Sequence, residues 1–441
     1  MSVETIISGK LSAISQQLSD DPKLLCVFQK CFINTIQTTV TLDPEEGTYI
    51  ITGDIDALWL RDSSQQVYHY IRFAKEEPEI AAMIEGLIKR QVRCVLLDPY
   101  ANAFNQTAND RHYLRDKPLQ HPAVWERKYE IDSLCHMVWL CAGYYHATHS
   151  KAFMTEQFYS ALETIVDLWY REQHHASQSD YYFIRTDGMA HDTLSCNGKG
   201  SPTAYTGMTW SGFRPSDDSC RYGYLIPSNL FACESLKSIA EFAGIGNRML
   251  LAQRATGLRD DILRGIAQFG TINHPEFGLI YAYEADGLGN QLFMDDANIP
   301  SLLSLPYLGV CSVHDPMYLR TRQACLSHTN PFYYSGKHAG GIGSPHTPKN
   351  HIWPISLCVQ GLTTQCDDEA ALMLETLLQT DAGTSLMHES FHADDPFIYS
   401  RPWFAWANSM FGEFVYSLFE QNRLRTVMHK ASLLREAKKS L

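Results

Sequence analysis

Residues 384–413 read TSLMHESFHADDPFIYSRPWFAWANSMFGE. His388, Glu389, His392, Asp394, Asp395, Arg401, Trp403 and Trp406 crowd together here, between two stretches of ordinary helical period. A helix that only fills a core has no use for so many acids, imidazoles and indoles, because each buried polar group needs a partner. A surface that grips a polar, ring-shaped ligand does. Within the stretch, His388 to His392 has the HExxH spacing that puts two imidazoles on one helical face to hold zinc, with the glutamate acting on water. That geometry needs an unbroken helix, yet Gly383 lies shortly before His388 and Pro396 shortly after His392. The apolar period is poor and no GxxH continuation follows. The stretch therefore reads as a loop presenting Glu389 as a working carboxylate. A zinc peptidase, or a loop whose histidines only cap and pair, are the competing readings.

Outward from this loop the chain is helical. Apolar residues recur with a period near 3.6 over about 3–20, 22–39, 78–97, 130–147, 151–174, 228–243 and 246–268. The same period returns near 315–325, 353–363, 367–380, 403–421 and 423–437, and the sequence at Asn298–Pro300 is expected to restart a helix. Pro22 suits a first helical turn. Residues 270–294 are expected to form a β-hairpin, with Phe277, Leu279 and Tyr281 on one side and a turn at Asp286–Gly287. The polar loop 98–128 and the long segment 176–226 lack helical period, and long ordered loops in a compact domain are usually functional. Each cluster of chemistry-bearing residues falls in a loop that precedes every second helix. That pattern gives an all-α toroid of helical hairpins, one domain over residues 1–441, with long active-site loops and a small β-hairpin. No repeat of fixed period supports a solenoid.

Four further constellations stand beside the first. Arg214-Pro215-Ser216-Asp217-Asp218 sets two acids after a proline. They could cap a helix, but Ser228 and Asn229 are better placed to cap the next one. Trp210, Tyr222 and Tyr224 nearby suggest semi-apolar surroundings that would raise a carboxyl pKa, as a general acid needs. Asp54, Asp56, Trp59, Arg61 and Asp62 form a second group; single members could cap or pair, but aromatic faces beside charged planar groups suit hydroxyl-rich rings. The loop from Gly340 to His346 is weak as a phosphate loop, lacking GK[ST], and fits a tight ligand-facing turn. The segment 125–132, WERKYEID, reads in part as an ion-paired helix start.

The bulk numbers narrow the class. A formal charge of -13 makes a nucleic-acid partner unexpected. No run of about twenty apolar residues predicts a membrane span, and the first residues lack the features of a secretory signal. Twelve cysteines are scattered without a CxxC pair, so reduced thiols in a cytoplasmic protein are expected.

The segments GDIDALWLRDS, VWERKYEIDSL, SGFRPSDDSCRYGYLIPSN, MDDANIPSLLSLPYLG, GIGSPH and the stretch from Met387 to Glu413 resemble glycoside hydrolase family 125, the exo-acting α-1,6-mannosidases. The resemblance runs from residue 53 to 413. It implies an (α/α)6 barrel, no cofactor and no metal, and inverting release of non-reducing terminal mannose from α-1,6-linked mannosides. It places the general acid at Asp217 or Asp218, with Asp218 favoured, and the general base at Glu389. Asp56, Trp59, Arg61, Asp62, Arg214, Ser344, His346, Trp403 and Trp406 would line the sugar subsites. An inverting glycosidase holds its two carboxyls about 6.5–9.5 Å apart, leaving room for the attacking water. The expected partner is a mannose-containing oligosaccharide. A different helical-toroid enzyme, such as an epimerase or lyase, or a glycan-binding protein without activity, are the remaining alternatives.

Overall fold

The computed structural model describes residues 2–113 and 115–439. Two concentric tiers of helices form a closed ring. The inner tier comprises Leu60–Tyr68, Ile131–Thr148, Ile226–Ile245, the turn-rich segment 302–310, Pro354–Leu362 and Ala405–Glu420. Each is followed in sequence by an outer helix: Pro78–Leu97, Glu156–Glu172, Met249–Phe269, Pro316–Cys325, Asp367–Gln379 and Leu424–Lys439. Leu60–Tyr68 packs on both Ile131–Thr148 and Ala405–Glu420, which closes the ring. The N-terminal helices Val3–Lys10, Ser12–Leu18 and Pro22–Thr38 form an outer layer, the last of them lying on Ala405–Glu420. This is the all-α (α/α)6 architecture expected from the sequence.

The two tiers differ as their residues require. Outer helices are amphipathic: Glu156–Glu172 turns Phe158, Leu162, Ile165 and Trp169 inward and leaves its charged face to solvent. Inner helices are covered on nearly every side, so their polar residues must find partners within the protein. In Ile131–Thr148 the buried His136 donates from Nδ1 to the Asp132 carbonyl at 2.8 Å and accepts at Nε2 from Gln65 Nε2 at 3.1 Å. His69 is likewise buried and donates from Nε2 to the Phe32 carbonyl at 3.0 Å.

Short strands feed the inner helices at one face of the ring. Leu58–Trp59 leads into Leu60–Tyr68, Tyr224–Leu225 into Ile226–Ile245, and His351–Ile352 into Pro354–Leu362. Each belongs to a three-stranded antiparallel sheet. The last of these pairs Ile352 with Phe391 and Ser390 with Ser400, so residues 384–413 return through a sheet before entering the helix Ala405–Glu420.

Several expected elements differ. The hairpin near 270–294 is two hairpins, Thr271–His274 with Gly278–Tyr281 and Glu284–Ala285 with Gln291–Leu292; the Asp286–Gly287 turn joins the second. At 298–310 the chain makes successive turns rather than a helix. The Asp295 carboxylate takes the backbone N–H of Leu302 and Leu303, and Ser301 and Ser304 bond each other's backbone, so side chains satisfy groups a helix would have paired. The expected helix 3–20 is broken at Leu11.

Candidate active site

The loops and strand ends at the N-terminal face of the inner helices enclose one pocket. Arg61, Asp62, Asp217, Glu389, Arg401 and His346 supply its charged groups; Trp59, Trp353, Phe404 and Trp406 supply rings. Thr52, Ile55, Ser216 and Asn298 complete much of the lining. A larger cleft of about 610 Å³ lies on the outer layer between Gln16 and Arg435. Its lining has no indole or phenyl ring and none of the candidate catalytic or sugar-binding residues, so the chemistry is assigned to the smaller pocket.

The two aspartates are separated by a tight turn. The Arg214 N–H donates to the Asp218 carbonyl at 2.8 Å, and the Asp217 N–H to the Arg214 carbonyl at 2.9 Å. Asp217 sits at the tip with φ of 65°, a left-handed conformation that costs a non-glycine residue about 1–2 kcal/mol. Lys128, buried beneath it, clamps the turn by donating from Nζ to the Asp217 carbonyl at 2.8 Å. Asp217 thereby reaches the pocket. Asp218 lies outside the lining: it is 1% exposed and accepts from His346 Nδ1 at 2.9 Å. Its Oδ2 is buried without a hydrogen-bond partner.

Burial would raise the pKa of Asp217, but Arg61, with its Nη2 at 3.1 Å, and Lys128 hold it well below the ordinary carboxylate range. Arg61 is the hub of this wall. Its Nη1 donates to Glu130 at 2.7 Å and to Asp132 at 3.0 Å, and its guanidinium lies 5.8 Å from the Trp406 ring centre. Asp62, 3.6 Å from Arg61 Nε, is pushed up by burial against the pull of Arg61. Asp132 is pushed up to about 6, again by burial. Burial disfavours the charged form of His346, but its hydrogen bond to Asp218 and the charges of Asp218, Asp217 and Glu389 overcome this and bring it to about 9. His346 is thus a cation facing carboxylates from both catalytic loops.

Glu389 enters just before the strand Ser390–His392. Arg401, whose Nε is 3.3 Å from Glu389 and whose Nη1 is 3.4 Å from Asp54, ties the base loop to the segment around residue 54. The HExxH reading fails on backbone geometry. His388 precedes the strand and His392 ends it, so the two are not one helical turn apart. His388 Nδ1 bonds the Arg401 carbonyl at 3.0 Å and its ring stacks on Tyr399 at 3.8 Å.

Among the sequence-singled residues, Trp59, Arg61, Asp62, Asp217, Glu389, His346 and Trp406 line the pocket. Asp56 does not; its side chain is 58% exposed and paired with Arg111. Arg214 lies behind the wall, donating from Nε to Glu284 at 2.6 Å, and the Glu284 carboxylate also takes the N–H groups of Arg221 and Tyr222. Ser344 is buried, donating to Asp296 at 3.1 Å and accepting the His346 N–H at 3.2 Å, so it acts through His346. Trp403 lies beside Gly53, outside the lining. Ser228 and Asn229 do not cap: the helix starts at Ile226, and Asn229 bonds Thr209 instead. Trp210 stacks on His175 at 3.5 Å in the core rather than around the aspartates. Sequence reading missed Trp353, Asn298 and Phe404 in the lining. Asn298 sits inside MDDANIP, a segment already notable for its acids, but nothing local marked it as a pocket residue.

Known proteins match this chain closely. The model of the metal-independent α-mannosidase family, GH125, covers residues 21–416. A curated fission-yeast relative, the meiotically up-regulated gene 157 protein of Schizosaccharomyces pombe, is 38% identical over 438 residues, 94% of this chain and 86% of its own length. A solved structure of a metal-independent α-mannosidase from Streptococcus pneumoniae, in a non-productive complex with α-1,6-mannobiose, is 43% identical with a TM-score of 0.92, covering 94% of this chain and 98% of that one. A bacterial glucoamylase in complex with acarbose shares the fold at a TM-score of 0.60 and 13% identity, over 92% of this chain and 57% of that one. The chain belongs to glycoside hydrolase family 125, the metal-independent α-mannosidases.

Proposed function

We propose that the protein is an inverting exo-α-1,6-mannosidase that releases non-reducing terminal mannose from α-1,6-linked mannosides, N-glycan fragments among them. The observation that carries this reading is that Asp217 and Glu389, remote in sequence, face one aromatic-lined pocket. It is supported by the 43% identity to the Streptococcus pneumoniae enzyme solved with α-1,6-mannobiose. Asp217, at the pocket surface, is the better placed of the adjacent pair to protonate the interglycosidic oxygen. Asp218 serves by fixing His346. Glu389 takes a proton from the water that attacks the anomeric carbon from the opposite face. The C1–O bond to the aglycone breaks and a new C1–OH bond forms with the configuration inverted. Arg61 and His346 meet the sugar hydroxyls, and Trp59, Trp353 and Trp406 offer ring faces to its apolar side.

Incubation of purified protein with α-1,6-, α-1,2- and α-1,3-mannobiose, with and without EDTA, tests the reading. Free mannose from the α-1,6 isomer alone, unaffected by chelator, is expected. Binding without cleavage would favour a glycan-binding protein, and cleavage of another linkage would reassign the substrate. A cytoplasmic location is proposed on the twelve cysteines, all unbridged, with Cys26, Cys196 and Cys366 at the surface; cell fractionation checks it.

A further inference from the structure

Glu130 precedes the inner helix Ile131–Thr148 and is 1% exposed. Its two oxygens have unlike surroundings. Oε2 accepts from Arg61 Nη1 at 2.7 Å and from Ser133 Oγ at 2.9 Å. Oε1 is buried and no donor faces it. Arg61 holds Glu130 and Asp217 on one guanidinium, with Nη1 on the Glu130 Oε2 and Nη2 on the Asp217 Oδ1. Two carboxylates brought together on one guanidinium repel each other, and a proton on one relieves both that repulsion and the missing donor at Oε1. Asp217 already receives Arg61 Nη2 at 3.1 Å and Asn102 Nδ2 at 3.4 Å. Both of those donors reach the Asp217 Oδ1, whereas the Glu130 Oε1 is buried with no donor.

We propose that Glu130 is a positioning residue, a buried carboxylic acid whose Oε1–H is shared with Asp217 and keeps a proton within reach of the glycosidic oxygen. The inference rests on Asp217 being the general acid. The charges around the pair agree with it. Asp62 and Asp132 on the acid side and Arg61 and Lys128 on the basic side face the pair, with His346 near Asp217 through its bond to Asp218. Four carboxyls thus surround Arg61, and Lys128 is shared with Asp192 at 2.9 Å. Burial, with the charges of Asp217 and Asp132, raises Glu130 well above the ordinary range against the pull of Arg61, while Asp217 is lowered. Neighbouring acids driven in opposite directions hold one proton between them over a wide pH range. In turnover Asp217 gives that proton to the departing oxygen, the pair is left with one negative charge more, and solvent restores the proton after product leaves.

The test is the pH dependence of kcat/KM for wild type, Glu130→Gln, Glu130→Asp and Asp217→Asn, on α-1,6-mannobiose and on an aryl α-mannoside whose leaving group needs no protonation. Glutamine keeps the shape and a donor but removes the second titrating carboxyl. With it goes the group that holds the shared proton, so the pair loses that proton at lower pH and the alkaline limb is expected to move down by about one unit or more. Glu130→Asp should restore part of the shift, and the aryl substrate should be nearly insensitive to both Glu130→Gln and Asp217→Asn. A Glu130→Gln profile scaled down equally at every pH, with Asp217→Asn still showing its leaving-group dependence, would overturn the role of Glu130 alone. No leaving-group dependence in Asp217→Asn would overturn the acid assignment and this inference with it. Should Glu130→Gln not fold, infrared spectra of wild type and Asp217→Asn at pH 7 decide: a protonated-carboxyl band that shifts on Asp217→Asn supports the shared proton, and no shifting band overturns it.

Discussion

Asp217 and Asp218 are the same residue type at neighbouring positions, and only their surroundings separate them. One sits at a strained turn tip beside Arg61; the other is buried against His346. Asp217→Asn and Asp218→Asn are therefore expected to fail differently. The first should depress kcat with an alkyl leaving group and recover on an activated aryl one; the second should chiefly raise KM by releasing His346. Steady-state kinetics on both substrates separates the two. Glu389→Gln should cut turnover by about 10³-fold or more, since a positioned base contributes about 10²–10⁴, while circular-dichroism melting stays near wild type. His346 carries a pH signature of its own. Its pKa is raised from 6.5 to about 9, so its stabilising contribution is complete below 6.5 and fades as pH rises through about 9. Melting temperatures across pH 6.5–9.5 should fall more steeply in wild type than in His346→Gln. The residue types were legible in the sequence, whereas the orientation of Asp217 against Asp218 was not. It depends on Lys128 and Arg61 arriving from other parts of the ring, contacts no local spacing encodes.

The helices were legible element by element. Pro78–Leu97 falls where the period placed it, because a one-sided outer helix writes its burial into the sequence. The small sheets were not, since strands of two or three residues such as Leu58–Trp59 are too short to show alternation. These sheets nevertheless aim the site: Trp59 ends one, and Glu389 lies next to another. The glycine-rich loop belongs here too. It forms the strand Gly340–Ile342, after which a Cβ on Gly343 would stand 2.1 Å from the His351 carbonyl oxygen. Backbone cannot yield as a side-chain tip can, so Gly343→Ala should destabilise by about 2 kcal/mol or more. Displacing the loop should also move Ser344 and His346 and raise KM. Urea unfolding with Michaelis–Menten kinetics checks both effects; unchanged stability would show that the loop has slack.

On the scale of the molecule, the ring makes one site from loops more than 300 residues apart, as Arg401 spanning Glu389 and Asp54 illustrates. A closed inner tier also buries ionisable groups. Burial lowers His69 and His136 to about 3, so the stability they confer is present above pH 6.5 and lost as pH falls from there toward 3, at up to about 1.4 kcal/mol per pH unit for each proton. Asp295, pushed up to about 7 by burial, acts in the opposite sense. The clean observable is thus a difference: urea-derived stability between pH 6.5 and 4.5 should fall less steeply in His136→Gln than in wild type. The ring itself was readable from the alternation of helix and functional loop, but the neutral state of its buried imidazoles was not, because it follows from partners such as Gln65 and the Phe32 carbonyl.

With Asp217 and Glu389 on opposite sides of one mannosidic bond and a water between, cleavage inverts the anomeric carbon. Proton NMR of α-1,6-mannobiose during the first minutes of cleavage, before mutarotation, tests it most directly. β-Mannose should appear first, with the α anomer growing in only afterwards; α-mannose appearing first would mean retention and rule out a water held between the two carboxyls.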